Sequence, residues 1–381
     1  MIDRRAFSFG LGALGLTACS AGGTLQNTPA AAPQYRTVPN DGWNRWVAAF
    51  KPRAAAQGIS QATLDRAFRN AGYIPLVIER DRNQTEFKRS LEDYLAIAAS
   101  DERIATGRQM LQRHSATLGR IEARYGVPKE VVTAIWGLES RYGARRGDIP
   151  VVSATSTLAY DGRRGAFFEK QLIAALKILQ NGDTTPDRML GSWAGAMGHT
   201  QFIPTSYELY AVDFTGDGRR DIWAEDPTDA LASAAAYLAN AGWRTGQPWG
   251  GEVGSAAARS GTPLRVLQPQ KPGPQIAVFR NFDVIKRYNN SDNYAIGVGH
   301  LSDRIAGGAP FQASFGPDET GLTLADRKEL QERLTRAGYD TGGADGVIGS
   351  KSKAAIEGYQ RANGLAVTGE PSRALLERLR G

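Results

Sequence analysis

The sequence predicts a mainly α-helical protein built as two folded units of unequal size. Three observations carry that expectation. Apolar residues recur at helical spacing through most of positions 43–243 and again from about Tyr294. The texture changes to Gly, Pro and short apolar runs only between Gly246 and Phe282. A Gly-, Pro- and Ala-rich stretch at 307–321 then sets apart a final segment with three more helical patterns. At 381 residues the chain exceeds the usual size of one domain. Its 41% hydrophobic and 22% charged residues are ordinary for a soluble globular protein. The formal net charge of +7 suggests anionic partners, but the basic residues are scattered rather than gathered into a stripe. That distribution argues for a polyanionic surface, and nucleic acid is not expected as a partner.

Residues 1–19 read as an export address. Arg4 and Arg5 precede an apolar stretch, Phe7 to Leu16, too short to span a membrane. The arginine pair also has something of a twin-arginine signal. Leu16-Thr17-Ala18-Cys19 resembles the lipobox of bacterial lipoproteins, in which the cysteine becomes the lipidated first residue of the mature chain. Cys19 is the only cysteine, so neither a disulfide nor thiolate metal chemistry competes for it. Export to the periplasm with a lipid anchor in the membrane follows, and Ser20 after the cysteine fits outer-membrane sorting. Residues 20–42 have the composition of a flexible tether.

The folded part is expected from residue 43. Trp43, Trp46, Val47 and Phe50, then Leu91, Tyr94, Leu95 and Ala98, mark amphipathic helices, and a second helical block runs from Pro128 to Trp243. Gln275-Ile276-Ala277-Val278-Phe279 marks a strand inside a small insertion. The expected units are 43–306 and 322–381, joined by a linker at 307–321. No apolar run beyond the leader approaches the roughly 20 residues that span a bilayer, and no internal repeat implies a solenoid.

Val127 to Gly143 is a well-punctuated helix, with Pro128 at its start and Gly143 past its end. Val131, Ile135, Leu138 and Tyr142 mark the expected buried face. Glu139 borders that face in the last turn, where desolvation and the helix dipole both disfavour its ionised form. A carboxyl group raised in this way suits a general acid, although Arg141, Arg145 and Arg146 oppose the shift. Taken alone, such a helix is more commonly an ordinary helix ending in a surface Glu.

Three segments in order decide between these. They are Ala134-Ile135-Trp136-Gly137-Leu138-Glu139-Ser140-Arg141-Tyr142-Gly143, then Ser192-Trp193-Ala194-Gly195-Ala196-Met197-Gly198-His199-Thr200-Gln201-Phe202-Ile203-Pro204-Thr205-Ser206-Tyr207, and Arg287-Tyr288-Asn289-Asn290-Ser291-Asp292-Asn293-Tyr294-Ala295. Together they resemble the membrane-bound lytic transglycosylase B family across most of the chain. The resemblance implies a lysozyme-like, mainly helical catalytic core with Glu139 as the single catalytic acid and base. It further implies cleavage between N-acetylmuramic acid and N-acetylglucosamine in peptidoglycan, with the 6-hydroxyl of the sugar closing a 1,6-anhydro ring. Ordinary glycosidases use two carboxyl groups, and no second one stands out in the three segments. Matching positions imply Ser192, Gln201, Tyr237, Asn289 and Tyr294 as glycan-binding groups, with Tyr94, Arg163 and Arg164 as additions. For each aromatic taken alone, core packing is the commoner role. His199 stands where the family often carries an aromatic, and its role is open at this stage.

Asp213-Phe214-Thr215-Gly216-Asp217-Gly218-Arg219-Arg220-Asp221 has oxygen side chains at alternate positions, like the first half of an EF-hand loop. Position twelve is Ala224, so Glu225 or a later residue must complete the shell. The resemblance favours Asp229, in Asp226-Pro227-Thr228-Asp229. A structural Ca2+ held by Asp213, Thr215, Asp217, Arg219 and Asp229 is therefore expected, against a plain solvated Asp/Gly turn. No cofactor is expected for the chemistry.

Residues 322–381 resemble the three-helix peptidoglycan-binding module, on Leu330 to Tyr339 and on Asp345 to Gln360. Ser352 and Tyr359 stand where Thr and Phe are commoner. Such a module would raise the effective substrate concentration; the alternative is a bundle for protein contacts, and cell-wall synthesis or remodelling proteins are candidate partners. Rival readings are a hydrolytic muramidase and a non-catalytic wall anchor. Gly-x-Ser-x-Gly, His-Glu-x-x-His and P-loop motifs are absent from the sequence, and His114, His199 and His300 are its only histidines.

Overall fold

The computed structural model describes residues 35–83 and 89–381. The leader, Cys19 and the tether as far as residue 34 lie outside the described residues. What is described is mainly helical, as the spacing predicts, with two small antiparallel sheets. Ile149–Pro150 pairs with Leu190–Gly191. The insertion forms a three-stranded sheet in which Ile276–Val278 lies between Gly250–Glu252 and Arg265–Leu267, with Val278 opposite both Gly250 and Arg265.

The described chain forms two compact units, one from residues 35–83 and 105–247, the other from 89–104 and 248–381. The helix Leu91–Ala98 thus belongs with the C-terminal half rather than with its neighbours in sequence. Its reason is local. The Tyr94 ring lies against Gly297 of the helix Asp292–Ile305, where a Cβ would come within 2.6 Å of Tyr94 Cε1. Only a residue without a side chain lets the two helices approach so closely.

In the first unit the helices Val151–Asp161 and Gly165–Asn181 turn back on each other through Gly162, at φ 82°. Ile74, Val77, Ile149, Ala154, Leu158 and Phe168 join in one apolar cluster there. The helix Lys129–Ser140 departs from the expected stripe. All seven residues from Val131 to Gly137 are buried, whereas Leu138 and Tyr142 are only half-buried. Surrounded on nearly every side, this helix has no polar face until its last turn, so periodicity understates its burial.

In the second unit the helices Leu324–Arg336, Ser350–Ala362 and Arg373–Arg380 enclose Leu322, Leu330, Leu334, Ile356, Tyr359 and Leu376. A capping box of Thr323 and Asp326 starts the first of them. Arg327, its side chain 5% exposed, pairs with Glu92 and Asp93 at 2.9 Å and with Asp318 at 2.8 Å. Its Nε also donates to the Gly346 carbonyl at 2.7 Å. One guanidinium therefore ties the C-terminal helices to Leu91–Ala98. The stretch 307–321 has no helix or strand but is anchored, since Gln312 and Ala313 donate their N–H groups to Glu252 and Phe311 stacks on His300 at 4.1 Å.

Arg327→Met leaves three carboxylates without their counter-ion. Urea unfolding is expected to register a loss of roughly 2–3 kcal/mol, below the cost of breaking a fully buried pair because Asp93 and Asp318 keep contact with water. An unchanged midpoint would mean that the network contributes nothing.

Candidate active site

The helix that carries Glu139 stops abruptly. Arg141, Tyr142 and Gly143 take φ values of 50°, 56° and 88°, three left-handed residues in a row of which only one is glycine. Each non-glycine residue there costs on the order of 1 kcal/mol, so the surroundings must hold the turn. Ser140 Oγ accepts from the Gly143 N–H at 3.0 Å and donates to the His199 carbonyl at 2.5 Å. The Arg145 N–H reaches back to the Ser140 carbonyl at 2.8 Å. Tyr142 lies in the gap left by Gly137, edge-on to Trp136 at 5.7 Å. Glu139 is left partly exposed, two residues before the turn and separated from the buried run 131–137 by half-buried Leu138.

The second segment folds as a tight loop beside this turn. Ser192 donates its N–H to the Ala196 carbonyl at 2.8 Å and accepts on Oγ from the Ala196 N–H at 3.1 Å. Gly198, at φ 68°, passes so close to Ile222 that a Cβ would lie 2.3 Å from its carbonyl oxygen. Gln201 is buried at φ 52°, and its side-chain N–H groups donate to the carbonyls of Arg146 at 3.0 Å and Gly198 at 2.8 Å. That leaves the amide oxygen as what Gln201 offers a ligand.

His199 is buried between the two segments. Trp136 Nε1, which can only donate, bonds to His199 Nδ1 at 3.1 Å. The ring proton therefore sits on Nε2, which donates to the Ala224 carbonyl at 2.7 Å. Burial is the main cause that pushes the imidazole below its ordinary range, with neighbouring Arg146 adding to it. Arg146 is engaged on the same loop, donating to the carbonyls of Trp223 and Ala224 and pairing with Glu225. Neither the ring's bonds nor that of Trp136 left any signal in the sequence.

The remaining expected residues divide between the units. Tyr237, buried in the helix Thr228–Asn240, packs against Phe202 at 6.0 Å and Tyr210 at 4.6 Å in the unit that holds Glu139. Arg163 and Arg164 lie in that unit and both pair with Asp81, a carboxylate 2% exposed, Arg163 at 2.9 Å. Arg164 also stacks over Phe168. Asn289 caps the end of the helix Arg280–Tyr288 in extended conformation, and Tyr294 lies buried in the first turn of Asp292–Ile305. Those two and Tyr94 belong to the other unit.

The acidic loop brings carboxylate oxygens of Asp213, Asp217 and Asp229 within 4.8 Å of one another. Asp229 is 3% exposed and accepts from the N–H groups of Phe214, Thr215 and Asp221. Its carboxyl is raised, chiefly by burial. Asp213 gathers the N–H groups of Gly216, Asp217 and Gly218 and the Thr215 hydroxyl, which hold its carboxyl low against the cost of desolvation. Glu225 points elsewhere, exposed and paired with Arg146. Of the two residues that could close the shell, Asp229 is the one in reach. Three converging carboxylates, with the Thr215 hydroxyl on Asp213, are a hard oxygen donor set that fits a divalent cation such as Ca2+. Added calcium should raise the melting temperature, by about 2.7 kcal/mol of stability at a hundredfold excess over the dissociation constant. Asp229→Asn should remove most of that gain; an identical calcium response in the variant would exclude the loop as the site.

A mainly helical fold in which a buried helix ends on a partly exposed carboxylate is of the lysozyme-like class. Residues 42–263 and 254–303 match the family described as Transglycosylase SLT domain, and residues 323–379 match the putative peptidoglycan binding domain. The chain belongs to the SLT transglycosylase family and carries a C-terminal peptidoglycan-binding domain. It is 33% identical over 234 residues to membrane-bound lytic murein transglycosylase B of Escherichia coli strain K12, covering 54% of this chain and 64% of that relative, less than two thirds of its length. SltB3 from Pseudomonas aeruginosa, solved in complex with NAG-anhNAM-pentapeptide, is 42% identical, with a TM-score of 0.69, over 90% of this chain and all of that one. The Escherichia coli lytic transglycosylase Slt35, solved in complex with calcium, is 27% identical with a TM-score of 0.59, over 70% of this chain and 93% of that one.

Proposed function

We propose that this protein is a lytic transglycosylase that cuts peptidoglycan glycan strands between N-acetylmuramic acid and N-acetylglucosamine, with Glu139 as acid and then base. The observation that carries the reading is the position of Glu139, the first partly solvent-accessible carboxylate after a run of buried residues, at the end of a helix closed by a strained turn. Glu139 first gives its proton to the glycosidic oxygen as the bond from the anomeric carbon breaks, and the muramoyl N-acetyl group stabilises the developing cation. The carboxylate then takes the proton of the 6-hydroxyl, whose oxygen bonds to the anomeric carbon and closes the 1,6-anhydro ring. No water is consumed. The anhydro sugar bound in SltB3 supports this product.

Ser192, Gln201 and Tyr237, in the unit that holds Glu139, supply amide, hydroxyl and aromatic groups for the sugars. For Asn289, Tyr294 and Tyr94, in the other unit, the support for a glycan-binding role is the family resemblance alone. Arg163 and Arg164, whose charges are partly answered by Asp81, serve the wall's carboxylates more weakly than free arginines would. The acidic loop takes Ca2+ in a structural role, in keeping with the calcium complex of Slt35. Residues 43–306 perform the cleavage, and 322–381 hold the wall. The chain is exported and anchored through Cys19 to a membrane, in our reading the outer one. Among the described residues no helix is long and apolar enough to cross a membrane.

Digestion of purified peptidoglycan by the chain from residue 20 onward should yield 1,6-anhydromuramoyl ends by mass spectrometry. Glu139→Gln should abolish them, a loss of at least about a hundredfold, as expected when a general acid and base is removed. Reducing muramic acid ends would identify a muramidase instead, and binding without cleavage a wall anchor.

A further inference from the structure

We infer that His199 is a positioning residue for Glu139, clamping both sides of the catalytic turn to the loop that leaves the acidic cluster. The inference rests on the reading of Glu139 given above. Three of its contacts reach the end of the Lys129–Ser140 helix. The ring accepts from Trp136, three residues before Glu139, and the His199 carbonyl accepts from Ser140, one residue after it. The ring also covers Gly143, where a Cβ would lie 2.5 Å from Nδ1, so the last left-handed residue must be glycine. Two contacts reach the other way. The His199 N–H donates to the Ile222 carbonyl at 3.2 Å, and Nε2 donates to the Ala224 carbonyl. The loop they meet is itself fixed, because the Asp221 carboxylate accepts from the Trp223 and Ala224 N–H groups at 3.0 Å while its own N–H donates to Asp229.

A continuous hydrogen-bonded path therefore runs from Asp229 through Asp221, Ala224 and His199 to the residues on either side of Glu139. Packing alone would be met by a phenyl ring. The imidazole instead accepts at Nδ1 from Trp136 and donates at Nε2 to the Ala224 carbonyl, in opposite directions; Arg146 Nη1, 3.3 Å from Nε2, shares that carbonyl, and only the neutral Nε2–H tautomer makes both ring bonds. Its contribution is to hold the carboxylate in reach of the reacting oxygens, where small displacements are costly in rate.

The test compares His199→Phe, His199→Asn and Glu139→Gln with the wild-type protein, full length, on peptidoglycan. His199→Phe keeps the ring and loses both nitrogen contacts. Its kcat is expected to fall about tenfold or more with KM within about twofold, as befits a misplaced catalytic group rather than lost binding. His199→Asn, which restores an acceptor near Trp136, should recover part of the rate. A folded His199→Phe with wild-type kcat would overturn the inference. Should that variant not fold, nitrogen NMR of the wild-type imidazole decides: a neutral Nε2–H ring at neutral pH supports the clamp, and a protonated or Nδ1–H ring overturns it. Full turnover by Glu139→Gln would sink the reading of Glu139 itself, whatever the His199 variants do.

Discussion

The left-handed turn at Arg141–Gly143 is the constraint on which the site depends. A helix that simply frayed at Ser140 would let Glu139 wander with it. Here the chain reverses in three residues, two of them in a conformation that side chains resist, and the Ser140 hydroxyl beside the carboxylate bonds both to the turn and to His199. The strain and its restraints together fix where the acid points. The second segment is shaped by the same need, because Gly198 and the left-handed Gln201 allow the loop to present its main chain to both Ser140 and Ile222.

Several of the buried charges among the described residues are answered. Asp81 meets two arginines, Arg327 meets three carboxylates, and Asp183 is held by Arg220 at 2.7 Å. Desolvating an isolated ion would cost far more than these pairs return, so each acts less as a source of stability than as a selector of one arrangement. The acidic loop differs. Its three carboxylates have backbone N–H groups rather than a cation around them, which satisfies the oxygens without cancelling the charge. A divalent ion is the natural complement, and the path through His199 would let such an ion steady the catalytic turn.

Much of this was legible in the sequence. The Glu139 helix, the strand at 276–278, the three terminal helices and the acidic loop all carry local signals, periodicity or punctuation, that the structure reproduces. Asp229 could be chosen over Glu225 only by resemblance until the fold brought it within reach of Asp213. What periodicity missed is long-range. The stripe of Val131, Ile135, Leu138 and Tyr142 underestimates a helix enclosed on all sides, since burial all round leaves no stripe to detect. The grouping of Leu91–Ala98 with Asp292–Ile305 depends on one glycine two hundred residues away. Arg163 and Arg164 read as candidate carboxylate binders, but their partner Asp81 sits in a short helix with nothing to mark it. His199 likewise looked like a local departure, because its partners lie in two separate segments, 136–146 and 222–224, that the fold brings to it.

The central claim is that bond cleavage is completed by the sugar's own 6-hydroxyl rather than by water. Digestion of peptidoglycan in water enriched in heavy oxygen tests it directly. Released muropeptides should carry anhydro ends with no heavy oxygen at the anomeric carbon; incorporation of one heavy oxygen per cleavage would contradict the account and make the enzyme a hydrolase.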